Sequence, residues 1–249
     1  MAGHSKWNNI RIRKGKVDEK RGKLFTKLAR EILMAGKDGP DPESNFRLSV
    51  AIARAKESNM PKNNIERLLE KLGGAGSGDF DEITYEGYGP GGVAILVEAA
   101  TDNRNRTAAE VRHLFSKNGG NLGEGGCVAW IFEKRGQITV AMDPAQEEKL
   151  LMAALEAGAL DMEPADEGLY TVFTEPTELH QVKTALEEGG VKVKSAEFTM
   201  LPKNTVEVDN DNAPAVLKLT EALDDHDDVQ NVYANFDIPD DVLEALGAD

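Results

Sequence analysis

Lys16, Lys20, Lys23, Lys27 and Arg30 follow one another at intervals of 4, 3, 4 and 3 residues. On an α-helix, at ~100° per residue, they gather within an arc of roughly 80°. A ridge of cations suits one kind of chemistry: it neutralises successive phosphates and releases the counterions condensed on them. Ahead of it lie Lys6, Trp7, Arg11, Arg13 and Lys14, and Arg21 sits beside it. Trp7 offers a ring for stacking on a base or ribose. Lysine and arginine on phosphate position a polyanion without reading its sequence. The competing reading is a solvated charged helix face. Arg104, Arg106 and Arg112 form a secondary basic patch, with Lys117 close by. For these, pairing with neighbouring carboxylates is favoured over a second phosphate contact.

Other chemically suggestive residues lead nowhere specific. Gly87-Tyr88-Gly89-Pro90-Gly91-Gly92 satisfies G-x-G-x-x-G, but an apolar strand pattern follows where a dinucleotide site needs a helix. A hairpin-type turn is expected there. Asn118–Gly126 is glycine-rich and lacks the G-K-[ST] of a phosphate-binding loop, so a mobile loop that touches a partner is expected. His4, His113, His180 and His226 are scattered, without metal-ligand spacing. Cys127 reads as core, and Ser5 and Ser116 lack a nucleophile context. Asp224-Asp225-His226-Asp227-Asp228 lacks the spacing of a calcium loop and reads as a solvated turn between a helix and a strand. A non-enzymatic protein with no catalytic residues, no cofactor, no metal site and no small-molecule substrate is expected.

Of 249 residues, 29% are charged, and no apolar run approaches the ~18 residues of a membrane span. The basic opening has no apolar stretch behind it, unlike a secretory signal. A single cysteine excludes an internal disulfide framework. The expected setting is the cytoplasm, with no membrane partner and a monomeric state. The net charge of −15 hides a split: residues 1–72 hold 17 basic and 9 acidic side chains, a balance of +8. The rest hold 12 and 35, a balance of −23. One part is suited to a polyanion, and the other is not.

The ridge needs a helix to align it. From Lys16 to Lys37 there is no proline, and Leu24, Phe25, Leu28, Ile32 and Leu33 recur at helical spacing. A second helix is expected from about Pro42 to Lys56. A third, running to Leu72, is expected to open on a capping box of Asn63 and Glu66. Gly73–Gly78 reads as a linker. Strands are expected at Ile83–Glu86, Val93–Ala99, Val128–Phe132, Gln137–Ala141, near Tyr170–Thr174, Lys192–Met200, Val206–Val208 and Val229–Phe236. Helices are expected at Thr107–Lys117, capped by Thr107 and Glu110, and at Ala145–Ala157, Thr177–Glu188 and Ala213–Asp224. This rhythm predicts an α+β multidomain fold: a three-helix domain, then two ferredoxin-like α+β domains. The expected boundaries are 1–78, then 79–134 with 204–249 as a discontinuous domain, and 135–203 within it.

The stretches Met1–Trp7, Arg21–Lys27, Arg30–Ile32, Asn59–Arg67, Tyr88–Ala94, Thr101–Thr107 and Gly119–Gly123 together resemble the YebC/PmpR family over essentially the whole chain. The match weakens between Ile10 and Glu19, which unsettles individual contacts there while the positive charge is kept. Beyond Phe132 it is looser. The resemblance implies three domains, the third inserted into the second, and no enzymatic activity. It implies DNA-binding transcriptional regulation or, as in other members, a role in translation on the ribosome through difficult stretches such as consecutive prolines. The partner expected from both lines is nucleic acid, either DNA or ribosomal RNA.

Overall fold

The computed structural model describes residues 17–72, 80–166 and 168–239, with the side chains of 17–21 and 166 left aside. The described helices are α1 (Val17–Ala35), α2 (Phe46–Glu57), α3 (Lys62–Leu72), α4 (Arg104–Lys117), α5 (Glu147–Glu156), α6 (Leu179–Glu188) and α7 (Ala213–Asp224). The strands are β1 (Asp81–Tyr88), β2 (Ala94–Thr101), β3 (Asn121–Leu122), β4 (Phe132–Ala141), β5 (Asp161–Asp166), β6 (Leu169–Thr174), β7 (Lys192–Pro202), β8 (Val206–Glu207), β9 (Val229–Ala234) and β10 (Phe236–Asp237). The fold is α+β, with a helical N-terminal region ahead of the sheets.

The chain divides into two compact units, one drawing on 1–30, 78–133 and 202–249, the other on 31–77 and 134–201. In the first, a four-stranded sheet has the order β3-β1-β2-β9, and β8 pairs in parallel with β10. Its two central strands are a hairpin, Asp81 opposite Thr101 through Tyr88 opposite Ala94. The turn is the glycine run noted above: Gly91 and Gly92 take φ of 70° and 77°, and Gly89 N–H donates to Val93 O at 2.8 Å. This is the expected hairpin turn, with glycine where the backbone is left-handed. The fourth strand arrives from more than 120 residues downstream, and Asn235 secures it by accepting from Ala94 N at 2.7 Å. α4 and α7 supply Val111, Phe115, Val216, Leu219 and Leu223 to one buried cluster with Ile95, Val97 and Phe236.

In the second unit, the succession β4-α5-β5-β6-α6-β7 forms a sheet of order β5-β6-β4-β7, the ferredoxin-like arrangement. Ile138, Val140, Tyr170 and Val172 meet Leu150, Leu179, Val182 and Leu186 in its core. The turn into α2 is tied by Asn45, whose side chain donates to Ala35 O and Gly39 O at 2.7 Å each and accepts from Leu48 N at 3.1 Å. That is an N-cap also serving the preceding helix end.

Several expectations are corrected. α3 begins at Lys62, which places Asn63 inside the first turn rather than at a cap. α4 begins at Arg104, capped by Asn103 accepting from Arg106 N at 3.1 Å, so Thr107 lies within the helix. Val128–Phe132 is a short 3-10 turn leading into β4 rather than a strand. β5 was not expected at all. It carries Pro164 and three acidic residues, and it lies at a sheet edge, where proline costs no ladder bond. Leu24, expected inward, is exposed, whereas Leu28, Ile32 and Leu33 are buried.

Candidate nucleic-acid interface

The cationic ridge lies on α1, and the structure separates its members. Lys6, Trp7, Arg11, Arg13, Lys14 and Lys16 fall outside the described residues. Lys20 and Arg21 belong to the helix, with side chains outside the description. Lys23, Lys27 and Arg30 meet the turn that follows α7. Lys23 Nζ donates to Asp225 O at 3.1 Å. Lys27 Nζ donates to Asp224 O and forms an ion pair with Asp224 Oδ1 at 3.4 Å. Arg30 donates to Asp227 O, to Ala100 O at 3.4 Å and to Asp228 Oδ1 at 3.0 Å, with its guanidinium 5.2 Å from the Phe80 ring centre.

The physical cause is the end of a helix. The Asp224 carbonyl that closes α7 is beyond the helix's own donors and takes Lys27 instead, and the macrodipole makes that end negative. Asp224, Asp225, Asp227 and Asp228 add formal charge at the same place. Cations three and four residues apart on α1 are spaced to reach successive acceptors there. The expectation of a solvent-facing row is therefore corrected for Lys27 and Arg30, which are largely buried in these contacts. Lys23 remains exposed beyond its single carbonyl contact.

The acidic run is likewise not a merely solvated turn. Asp228 is 3% exposed. Its Oδ2 accepts from Arg106 at 2.8 Å, Thr107 Oγ1 at 2.7 Å and Thr101 Oγ1 at 3.1 Å, while Oδ1 takes Arg30. Burial pushes its carboxyl up, but Arg106, Thr107, Arg30 and Thr101 outweigh that and hold it down, from 3.8 to about 2. His226 accepts from Asp228 N on Nδ1 at 3.1 Å, which leaves Nε2–H to donate to Glu110 at 2.8 Å. Glu110, His226 and Asp228 place three potential ligand atoms within 4.8 Å. All three are already committed to protein partners, which leaves the cluster structural. The secondary patch follows the same logic. Arg106 pairs with Asp102 and Asp228, Arg104 pairs with Asp81 at 3.0 Å, and Arg112 is exposed on α4.

The second glycine-rich stretch is a held loop. Glu86, 7% exposed on β1, accepts from Gly126 N, Val128 N and Ala129 N at 2.7, 2.8 and 2.7 Å. Burial pushes its carboxyl up, and the three amides overcome this to hold it below the usual range. Cys127, at the loop's end, is partly exposed rather than core, and its thiol is pushed up by burial and by Glu86. Sequence reasoning passed over Glu86 and placed Asp228 only within an acidic run read as a solvated turn, because nothing in their local context separates them from the other acidic residues.

Further cations of the helical region stand exposed on α2 and α3: Lys56, Lys62, Arg67 and Lys71. No helix among the described residues is long and apolar enough to cross a membrane.

Comparison with known proteins gives a consistent result. Residues 5–75 match the family model described as the TACO1/YebC protein N-terminal domain, and residues 80–236 match the TACO1/YebC second and third domain. A probable transcriptional regulatory protein of Natranaerobius thermophilus is 55% identical, over 98% of this chain and 99% of its own length. One from Dictyoglomus thermophilum is also 55% identical, over 99% and 100%. The crystal structure of a conserved hypothetical protein from Aquifex aeolicus is 51% identical, with a TM-score of 0.82 over 90% of this chain and 93% of that one.

Proposed function

Because the chain belongs to the TACO1/YebC family, named among its relatives for regulation, we propose that it is a non-enzymatic, cytoplasmic regulator of gene expression that binds nucleic acid as a monomer. The relatives are named as probable transcriptional regulatory proteins, and on that reading the target we put first is DNA. The observation that carries the reading is the charge split, +8 in residues 1–72 against −23 in the remainder. The contact is made by the N-terminal arm and the leading half of α1: Lys6, Trp7, Arg11, Arg13, Lys14, Lys16, Lys20, Arg21 and Lys23. Lys27 and Arg30 instead hold that helix against the protein's own acidic turn. This division of labour keeps the anionic turn from repelling the polyanion next to it, since its charges are partly neutralised.

A second reading, a translation factor on ribosomal RNA, is favoured by one feature: the ridge is lysine-rich, without clustered Arg, Asn or Gln for bidentate base readout. Two measurements decide between them: co-sedimentation with ribosomes at moderate salt, and retention of specific against scrambled duplex DNA. Sequence-dependent DNA retention without co-sedimentation supports the regulator of transcription, and the reverse supports the ribosomal role. Replacing Lys16, Lys20 and Lys23 by Ala should flatten the log–log salt dependence by about 2–3, at ~0.7–0.9 per lost phosphate contact. An unchanged slope would remove these three lysines from the interface.

A further inference from the structure

The surface beside the Glu86-held loop carries two aromatic rings fixed to a single acceptor. Trp130 Nε1 donates to Cys127 O at 3.1 Å, and the Tyr88 hydroxyl donates to the same oxygen at 3.1 Å. Trp130 is 64% exposed and Tyr88 39%. The frame beneath them is rigid. Glu86 grips three loop amides, Ile131 N–H donates to Val128 O at 2.9 Å, and Lys203 N–H donates to Ile131 O at 2.8 Å. A Cβ on Gly123 would lie 2.5 Å from Cys127 Sγ, so the loop is packed close on the Cys127 side chain. An indole left two-thirds exposed on a rigid support has lost its ordering freedom before any partner arrives, as in a binding hot spot.

The electrostatics select the occupant. The carboxylate beneath the loop, Glu86, stays ionised under its three amides, and Glu124 lies near enough to raise the Cys127 thiol. Residues 73–249 carry −23 overall. Phosphates are repelled there, which disfavours a nucleic-acid strand stacking its bases on the rings. A guanidinium is attracted, and it lies flat on an indole face.

From this charge complementarity we infer that Tyr88 and Trp130 form a docking platform for an arginine-bearing polypeptide segment of a partner protein, separate from the nucleic-acid surface. The site goes beyond the proposed function: the basic N-terminal stretch meets the polyanion, and this platform meets a basic protein.

The probe is a fluorescein-labelled nonapeptide of alternating glycine and arginine, titrated against the full-length protein by fluorescence anisotropy. A lysine version and an oligothymidine of similar length serve as comparisons. Saturable binding, tighter for arginine than lysine and weakened about fivefold by Trp130→Ala, is the expected result. Trp130→Phe should recover most of it. Trp7→Phe leaves Trp130 as the chain's single indole. Its emission should be that of an exposed ring in the free protein and should change on adding the peptide. Three outcomes overturn the proposal. One is equal binding by wild type and Trp130→Ala, which would mean overall charge alone attracts the peptide. Another is oligothymidine acting on Trp130 while the peptide does not. The third is a blue-shifted emission in the free protein, which would mean the ring is already covered. If Trp130→Ala alters folding, the Trp130→Phe affinity and the emission change carry the same decision.

Discussion

Asp228→Asn tests whether the acidic turn is structural. The carboxylate is 3% exposed and holds Arg30, Arg106, Thr101 and Thr107 at 2.7 to 3.1 Å. Its carboxyl is lowered from 3.8 to about 2. At ~1.36 kcal/mol per pH unit, a lowering of this size corresponds to about 2 kcal/mol of folding stability. A depressed acid contributes stability that is fully present above its unfolded value, near 4, and is lost as pH falls through its folded value, near 2. Asparagine keeps an acceptor for the threonines but gives the two guanidinium groups no charge. The variant should lose about 2 kcal/mol at pH 7, a fall in Tm of roughly 4–8 °C for a chain of this length. Urea titration followed by Trp130 emission in a Trp7→Phe background reads the right unit, since Trp130 and Asp228 share it. Repeating it down to pH 2 should bring wild type and variant together. A loss below about 0.5 kcal/mol at pH 7, or a gap that persists at pH 2, would refute the account.

Lys27→Met and Arg30→Met should lower the stability of the same unit by about 1–3 kcal/mol in thermal melts while leaving the salt slope of nucleic-acid binding nearly unchanged, the opposite of the Lys16, Lys20 and Lys23 substitutions. Glu86→Gln should release the loop and raise amide hydrogen exchange at Gly126, Val128 and Ala129. In wild type the same release should appear as pH falls below the ordinary carboxylate range, because the Glu86 carboxyl is held low. Gly87→Ala should destabilise by about 2 kcal/mol or more in urea titration, since a Cβ there would lie 2.6 Å from Asn121 O and 2.7 Å from the Phe115 ring.

The architecture was legible where local pattern and tertiary demand agree. α7 runs from Ala213 to Asp224 as the sequence predicts, with Pro214 in the first turn, where it costs no hydrogen bond. The glycine run at Gly87–Gly92 was readable as a turn from the apolar stretch that follows it. The start of α4 was not, because Asn103 and Thr107 are both plausible caps. Burial decides: Thr107 is used by Thr101 and Asp228 inside the core. β5 was invisible because an edge strand tolerates a proline and acidic residues that a central strand would exclude.

By itself the chain determined that its first 72 residues are basic, that the remainder is acidic, and that α1 aligns its cations along one side; composition and a 3.6-residue period suffice for these. Which of those cations meet solvent and which meet the protein was decided only by folding. Lys27 and Arg30 find Asp224 and Asp228 roughly 200 residues away. No local spacing records that encounter, because it depends on where the C-terminal end of α7 comes to lie when its apolar face packs on the sheet.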